Sequence, residues 1–443
     1  MSMNKTRIFF LGAIVINAFY LLITFIFFYF LDSFLMNIDN NDFLSFYNAG
    51  NIVIEDLPNL YNSSLYLFPF RYLPLSAYFF TPFSMLGLEL GYFVFQIFNF
   101  ILNISIVYLI YRIVQLYKKL DDSSTLFYDL KNFNDIFSKP KNKSILHQSV
   151  IFLVIIPQFM NYFLGQINVM VTLFVLSSLY CFLKGGNKYD LIGGFLIGLG
   201  ILLKPTLILL LPFLIYLNYG KETKKLSFKF KKTVIRLLGS IVLVGISGLY
   251  FIIFPQMLED FIDVNLAGEY TYSMEDGLEI NPSFSLTRVI LILFSLIKIE
   301  VNGFLIFILI TLLILIPMYI LYYKNSNQPI SLIDGYLTGI LVMLITYFDT
   351  WPHHLVVLAP FLIFFILFHK EFEFYNLIRY CYYLLGTLTV VFWGIFYLTY
   401  EIFPFNLGGL VLLMLVYFLI AIFYKKNSRS FLEEKYVSNA LTP

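Results

Sequence analysis

The sequence predicts an all-α polytopic membrane protein with about twelve transmembrane helices, and three observations carry that prediction. Hydrophobic residues make up 60% of the 443 positions, aromatic residues 20% and charged residues only 13%. Mean hydropathy is +0.82, far from the balance of a water-soluble domain. Apolar residues are gathered into runs of spanning or near-spanning length, with the basic residues in short clusters between them. A net charge of +2 distributed in this way reports topology and points to no nucleic acid.

The first run, 8–31, follows Lys5 and Arg7 without a small-residue cleavage site, so it is expected to persist as a helix with its N-terminus in the cytoplasm. Runs at 91–116, 148–164, 167–184, 190–203, 206–219, 234–254, 302–323, 334–349, 354–369, 381–400 and 406–424 complete the count and place both termini inside. Several are shorter than the ~20 residues a straight span needs, which predicts broken helices. The stretches 75–88 and 286–299 are also short, and counting them as crossings would put basic loops on the wrong side. They are expected to be interfacial or re-entrant helices of the outer loops.

Charge supports this arrangement. The loop 117–147 holds six Lys and the segment 221–236 six Lys and one Arg, whereas 255–285 holds seven acids and neither Lys nor Arg. The expected organisation is one transmembrane domain over 1–424, with outer loops at 32–74 and 255–285, and a cytoplasmic tail over 425–443. Inner lysines would meet anionic headgroups of the membrane lipids. Cys181 and Cys381 lie far apart in apolar runs and indicate neither a disulfide nor a metal cluster.

Of the 29 Lys and Arg, this topology leaves Arg71, Lys204, Arg288 and Lys298 on the outer side. A cation held at membrane depth is costly and calls for an anionic partner or a water-filled cavity. Lys204 sits in GLGILLKPTLILLLP, where Pro205 breaks the helix; it either snorkels to the interface or meets a phosphate at the tip of a helical hairpin. The same side receives Asp42, Tyr72, Gln166, Asn168 and the pair His353-His354. Adjacent histidines point in different directions and no third ligand is near in sequence, so no metal site is expected.

Asp42 heads the amphipathic segment 43–54 and has two readings. It is the N-cap of an interfacial helix, or it is a general base at the membrane surface. Asp32, Asp39 and Asp349 are its nearest rivals for the second role. Gln166 and Asn168, after Gly165, either cap helices or line the same pocket.

The order of short motifs is informative. It runs D-F-x-x-F-Y-x-A from Asp42, Leu60-Tyr61, Tyr72-Leu73-Pro74, Gly165-Gln166-Ile167-Asn168, Lys204-Pro205 and Trp351-Pro352-His353-His354-Leu355. This order resembles glycosyltransferase family 87 over roughly residues 8–370, with Asp349-Thr350 standing where a proline is expected before the Trp. The resemblance implies a C-type (GT-C-like) integral-membrane fold and inverting transfer of a hexose, with mannose the first expectation, from a polyprenyl-phosphate donor to a hydroxyl of a lipid, glycan or protein.

It also implies that Asp42 is the base at the extracytoplasmic face of the cell membrane. Lys204, Arg71, Arg288, His353, His354, Gln166, Asn168 and Tyr72 would then contact the donor phosphate or sugar, with no cofactor. A multispan transporter, a lipid flippase or a lipid-linked glycan ligase or polymerase would share the apolar composition. The crowding of polar residues at one surface and the absence of a visible internal repeat favour the transferase.

Overall fold

A computed structural model describes residues 3–30, 41–120, 131–139, 142–220, 225–267, 283–299, 301–326, 331–399, 402 and 405–440. Asp32, Asp39 and most of the acidic outer loop (268–282) lie outside the described residues. The chain opens with α1 (Met3–Phe30) and α2 (Phe43–Glu55), followed by 3-10 turns at Leu57–Asn59, Ser63–Leu65 and Pro74–Phe79 and the short α3 (Thr81–Ser84). It continues through α4 (Leu88–Leu120), α5 (Asp135–Ser138), α6 (Lys143–Val154), α7 (Ile156–Phe163), α8 (Asn168–Lys184) and α9 (Asn187–Leu203).

A 3-10 segment, Pro205–Leu210, leads through α10 (Leu211–Leu214) into an antiparallel hairpin, β1 (Leu217–Gly220) and β2 (Lys225–Phe228). Then come α11 (Phe230–Ile253), α12 (Pro255–Ile262) and α13 (Leu286–Leu296). The chain closes with α14 (Gly303–Asn325), α15 (Leu332–Thr346), a 3-10 turn at Pro352–His354, α16 (Leu355–Phe368), α17 (Tyr375–Thr387), α18 (Thr389–Thr399) and α19 (Leu407–Ala440).

Six helices among the described residues are long and apolar enough to cross a membrane, or seven if the pair α17 and α18, bent by 61°, forms one span. The protein is therefore an all-α membrane protein. The other expected crossings fall on helices of 17 residues or fewer, and the run 206–219 ends in strand β1 rather than in helix. A 17-residue helix is about 26 Å long, short of the ~30 Å of a hydrocarbon core. Two of the short helices, α15 and α16, are the innermost: every residue of α15 and all but the last of α16 are buried, whereas only 22% of the apolar window of α14 is buried. Helices such as α1, α11 and α14 thus present apolar outer faces, while α15 and α16 are sealed in protein and α9 still exposes Leu191, Ile192 and Phe195. The stretches 75–88 and 286–299 form no span: the first is a 3-10 turn plus α3, the second the 11-residue α13.

Small residues bring α9 and α11 into backbone contact. A Cβ on Gly194 would stand 2.2 Å from the Arg236 carbonyl oxygen, and one on Gly239 2.6 Å from that of Leu191. Only glycine permits an approach this close. The crossing buries Arg236, whose Nε donates to Asp190 Oδ1 at 2.7 Å, with the side chains 1% and 0% exposed. The sequence reading counted Arg236 only in the basic segment 221–236, where it overlaps the run 234–254. A partner 46 positions upstream, on another helix, leaves no trace in local charge. At the C-terminus the residues expected as a tail continue α19 without a break to Ala440.

Candidate active site

Asn41, not Asp42, starts α2. Asn41 Oδ1 accepts the Phe43 amide at 2.8 Å and the Asn41 carbonyl accepts that of Leu44 at 3.0 Å. Its Nδ2 donates to the Phe163 carbonyl at 3.1 Å and to the Tyr92 hydroxyl at 3.3 Å. Asp42 already has helical dihedrals, φ −61° and ψ −22°, and its side chain caps nothing. Its carboxylate instead accepts a hydrogen bond from Gln166 Nε2. Burial pushes the Asp42 carboxyl up to about 6, with the Gln166 hydrogen bond and the Arg71 charge pulling the other way.

Gln166 is held from below by amides. Its carbonyl accepts from Asn99 Nδ2 at 3.3 Å and Asn161 Nδ2 at 3.2 Å, and its backbone N–H donates to the Asn161 carbonyl at 2.9 Å. The turn before it needs Gly165, at φ +65°, because a Cβ there would lie 2.3 Å from Asn41 Oδ1 and 2.8 Å from Phe43 Cβ. Two residues on, Asn168 opens α8, and its Oδ1 accepts from Lys204 Nζ at 3.0 Å.

Lys204 ends α9 because Pro205 has no N–H to continue the helix and disfavours helical dihedrals in the residue before it; Lys204 has φ −149° and ψ 88°. The side chain is buried, 7% exposed, and among the described residues no carboxylate comes within ion-pair distance of it. Asn168 Nδ2 is also buried without a partner. Snorkelling is therefore not what this lysine does: its ammonium is enclosed.

His353 and His354 are buried against the same lysine, whose charge acts on both rings. Their ring centroids are 4.4 Å apart at 81°. The Trp351 N–H donates to His354 Nδ1 at 3.2 Å, which leaves the proton of a neutral His354 on Nε2. His353 Nδ1 has no partner.

Arg71 and Arg288 meet at Asp349. Arg71 Nη1 donates to Asp349 Oδ2, and Arg288 Nη2 donates to Asp349 Oδ1 at 2.8 Å; Arg288 Nε also reaches the Phe348 carbonyl at 3.3 Å. Arg71 further hydrogen-bonds Tyr347, whose ring stands 6.2 Å from that of His354. Ser285 caps α13 and accepts the Arg288 amide at 3.0 Å. The turn carrying Asp349 is fixed by the Thr350 N–H donating to Ser283 Oγ at 3.0 Å and the Phe284 N–H donating to the Thr350 carbonyl at 2.8 Å. Tyr72 packs on Phe46, centroids 5.4 Å apart, close enough to Asp42 for the two groups to interact. The Leu73 N–H donates to the Leu202 carbonyl at 3.1 Å, tying this segment to the end of α9.

Apart from Asp32 and Asp39, which lie outside the described residues, the site candidates thus fall in one neighbourhood. Asp42, Gln166, Arg71 and Tyr72 form one group, Lys204, Asn168, His353 and His354 another, and Tyr347 and Asp349 join them, with Arg288 beyond. Lys298 stands apart from these contacts, exposed at the end of α13 with φ 56°. The sequence reading missed Tyr347 and the role of Asn41. For Asn41 the signal was present, since Asn caps a helix as well as Asp does.

The model of glycosyltransferase family 87 matches residues 70–347, more than half of the chain. No curated protein matches it.

Proposed function

Because the chain belongs to glycosyltransferase family 87, we propose that it transfers a hexose, mannose first, from a polyprenyl-phosphate donor to a hydroxyl acceptor at the extracytoplasmic face of the membrane. In this reading the short helices complete a twelve-crossing, C-type bundle, and the donor lipid lies in the bilayer with its phosphate at the end of α9. The acceptor oxygen attacks the anomeric carbon, the bond from that carbon to the phosphate oxygen breaks, and the electron pair leaves with the phosphate. Asp42 takes the acceptor proton. One displacement with one base inverts the anomeric centre.

The phosphate gains charge as it leaves and needs preorganised donors. Lys204 Nζ, the Nε2–H of His354 and the free Asn168 Nδ2 are such donors, whereas Arg71 and Arg288 already share a carboxylate. His353 and Gln166 complete the wall, and Tyr72 faces the sugar side.

The observation that carries this reading is that Asp42, at the head of a helix, leaves capping to Asn41 and turns its carboxylate toward Gln166 and Arg71. The test is transfer by the purified full chain, supplied with a radiolabelled polyprenyl-phosphate hexose and an acceptor. Asp42→Asn keeps the shape and loses the base, so turnover should fall about 10²- to 10⁴-fold. Transfer by the unaltered protein should also decline as pH drops through about 6, where Asp42 takes up a proton. Near-normal turnover by the Asn variant would remove Asp42 from the chemistry.

A further inference from the structure

Asp349 is a carboxylate that the transfer chemistry itself does not use. It lies beside Tyr347 on the turn between α15 and α16, and each of its two oxygens accepts from a different guanidinium. The arginines come from distant segments, Arg71 from the loop after α2 and Arg288 from the first turn of α13. One of them, Arg71, is also the cation whose charge reaches Asp42. A single guanidinium therefore bonds Asp349 and acts through its charge on Asp42.

We propose that Asp349 is a positioning residue for glycosyl transfer: by holding the Arg71 guanidinium, it keeps that cation from closing an ion pair on the Asp42 base. The inference rests on the assignment of Asp42 as the base. Its physical ground is that a carboxylate clamped by Arg is a poor proton acceptor, because the ion pair stabilises the form that has not yet taken the proton. Arg71 at its present station lends field without direct contact. Arg288, bonded to Asp349 Oδ1 and to the Phe348 carbonyl, fixes the far side of the carboxylate so that it cannot swing away.

Among the described residues, the groups that act on Asp42 are few. The segment after α2 supplies Arg71 and Tyr72, and burial keeps the Tyr72 phenol protonated. The turn before α8 supplies the uncharged Gln166, and α4 supplies Tyr92, which bonds the neighbouring Asn41. Tyr347 and Asp349, from the turn before α16, reach Arg71 rather than Asp42.

The test is the pH profile of transfer by the full chain with a polyprenyl-phosphate hexose, for the unaltered protein, Asp349→Asn, Arg71→Gln and the double variant. Asp349→Asn should move the acidic limb down by about one pH unit and lower the plateau rate about threefold, with little change in the KM for donor. Arg71→Gln should move the limb up, and the double variant should follow Arg71→Gln alone. A limb unmoved in Asp349→Asn, or moved equally when Arg71 is absent, overturns the proposal. Should Asp349→Asn fail to fold because Arg288 is left uncompensated, Asp349→Asn with Arg288→Gln poses the same question. The underlying reading fails separately, through an active Asp42→Asn, which leaves the limb unassigned.

Discussion

At one end of α9, Arg236 donates to Asp190 at 2.7 Å inside protein, with its guanidinium 4.5 Å from the centroid of the Phe182 ring. At the other end, Lys204 is nearly as deeply enclosed, but the partner found for it is the neutral amide of Asn168, at 3.0 Å. The two ends of one helix thus meet two buried cations, Arg236 from α11, matched by the Asp190 carboxylate, and its own terminal Lys204, which is not so matched. A matched pair holds helices together and asks nothing of a ligand. An ammonium given only an amide, beside a histidine nitrogen and an amide nitrogen with no partner, is what the proposed reading requires of a group that awaits the donor's phosphate.

Four substitutions would break or sharpen that contrast. The largest effect is expected at the matched end. Arg236→Met strands Asp190 and should cost about 3–5 kcal/mol of stability, read as a fall in the unfolding midpoint in detergent, with turnover per folded molecule intact. Adding Asp190→Leu should return most of the loss. A stable but inactive Arg236→Met would erase the distinction between the two ends.

At the unmatched end, Lys204→Met should do the reverse. It removes an enclosed charge that has no counter-ion, so the unfolding midpoint should hold or rise, while kcat/KM falls about 100-fold, or about 2.7 kcal/mol. The smallest effect is the most specific. Asn168→Asp would give Lys204 a carboxylate like the one Arg236 has; donor KM should rise about tenfold, about 1.4 kcal/mol, as the new side chain competes with phosphate. An unchanged KM in that variant would mean that the donor does not meet Lys204.

Much of this was legible in the sequence, for reasons that particular residues make plain. The apolar runs found helices because a chain in oil must satisfy its own backbone, and even the short ones at 167–184 and 354–369 did so. Lys204 stood out because a charge beside a proline inside an apolar run has few cheap explanations. The fate of Arg71 and Arg288 was not readable: both were expected to face phosphate, and Asp349 binds them across gaps of 278 and 61 positions. Arg236 was hidden by its neighbours, since a string of lysines reads as solvated whichever of its members turns inward. The choice between Asn41 and Asp42 as cap depended on a rotation of one residue, below what spacing resolves.

Gly165 presses its turn against Asn41 and Phe43 so closely that an added methyl carbon would overlap both. Enlarging that residue would act as a shim, prising the Gln166 loop off α2 while leaving acid and amide chemically whole. A graded series of bulk at this one position would therefore meter how catalysis decays with the gap between them, as a ruler rather than a deletion.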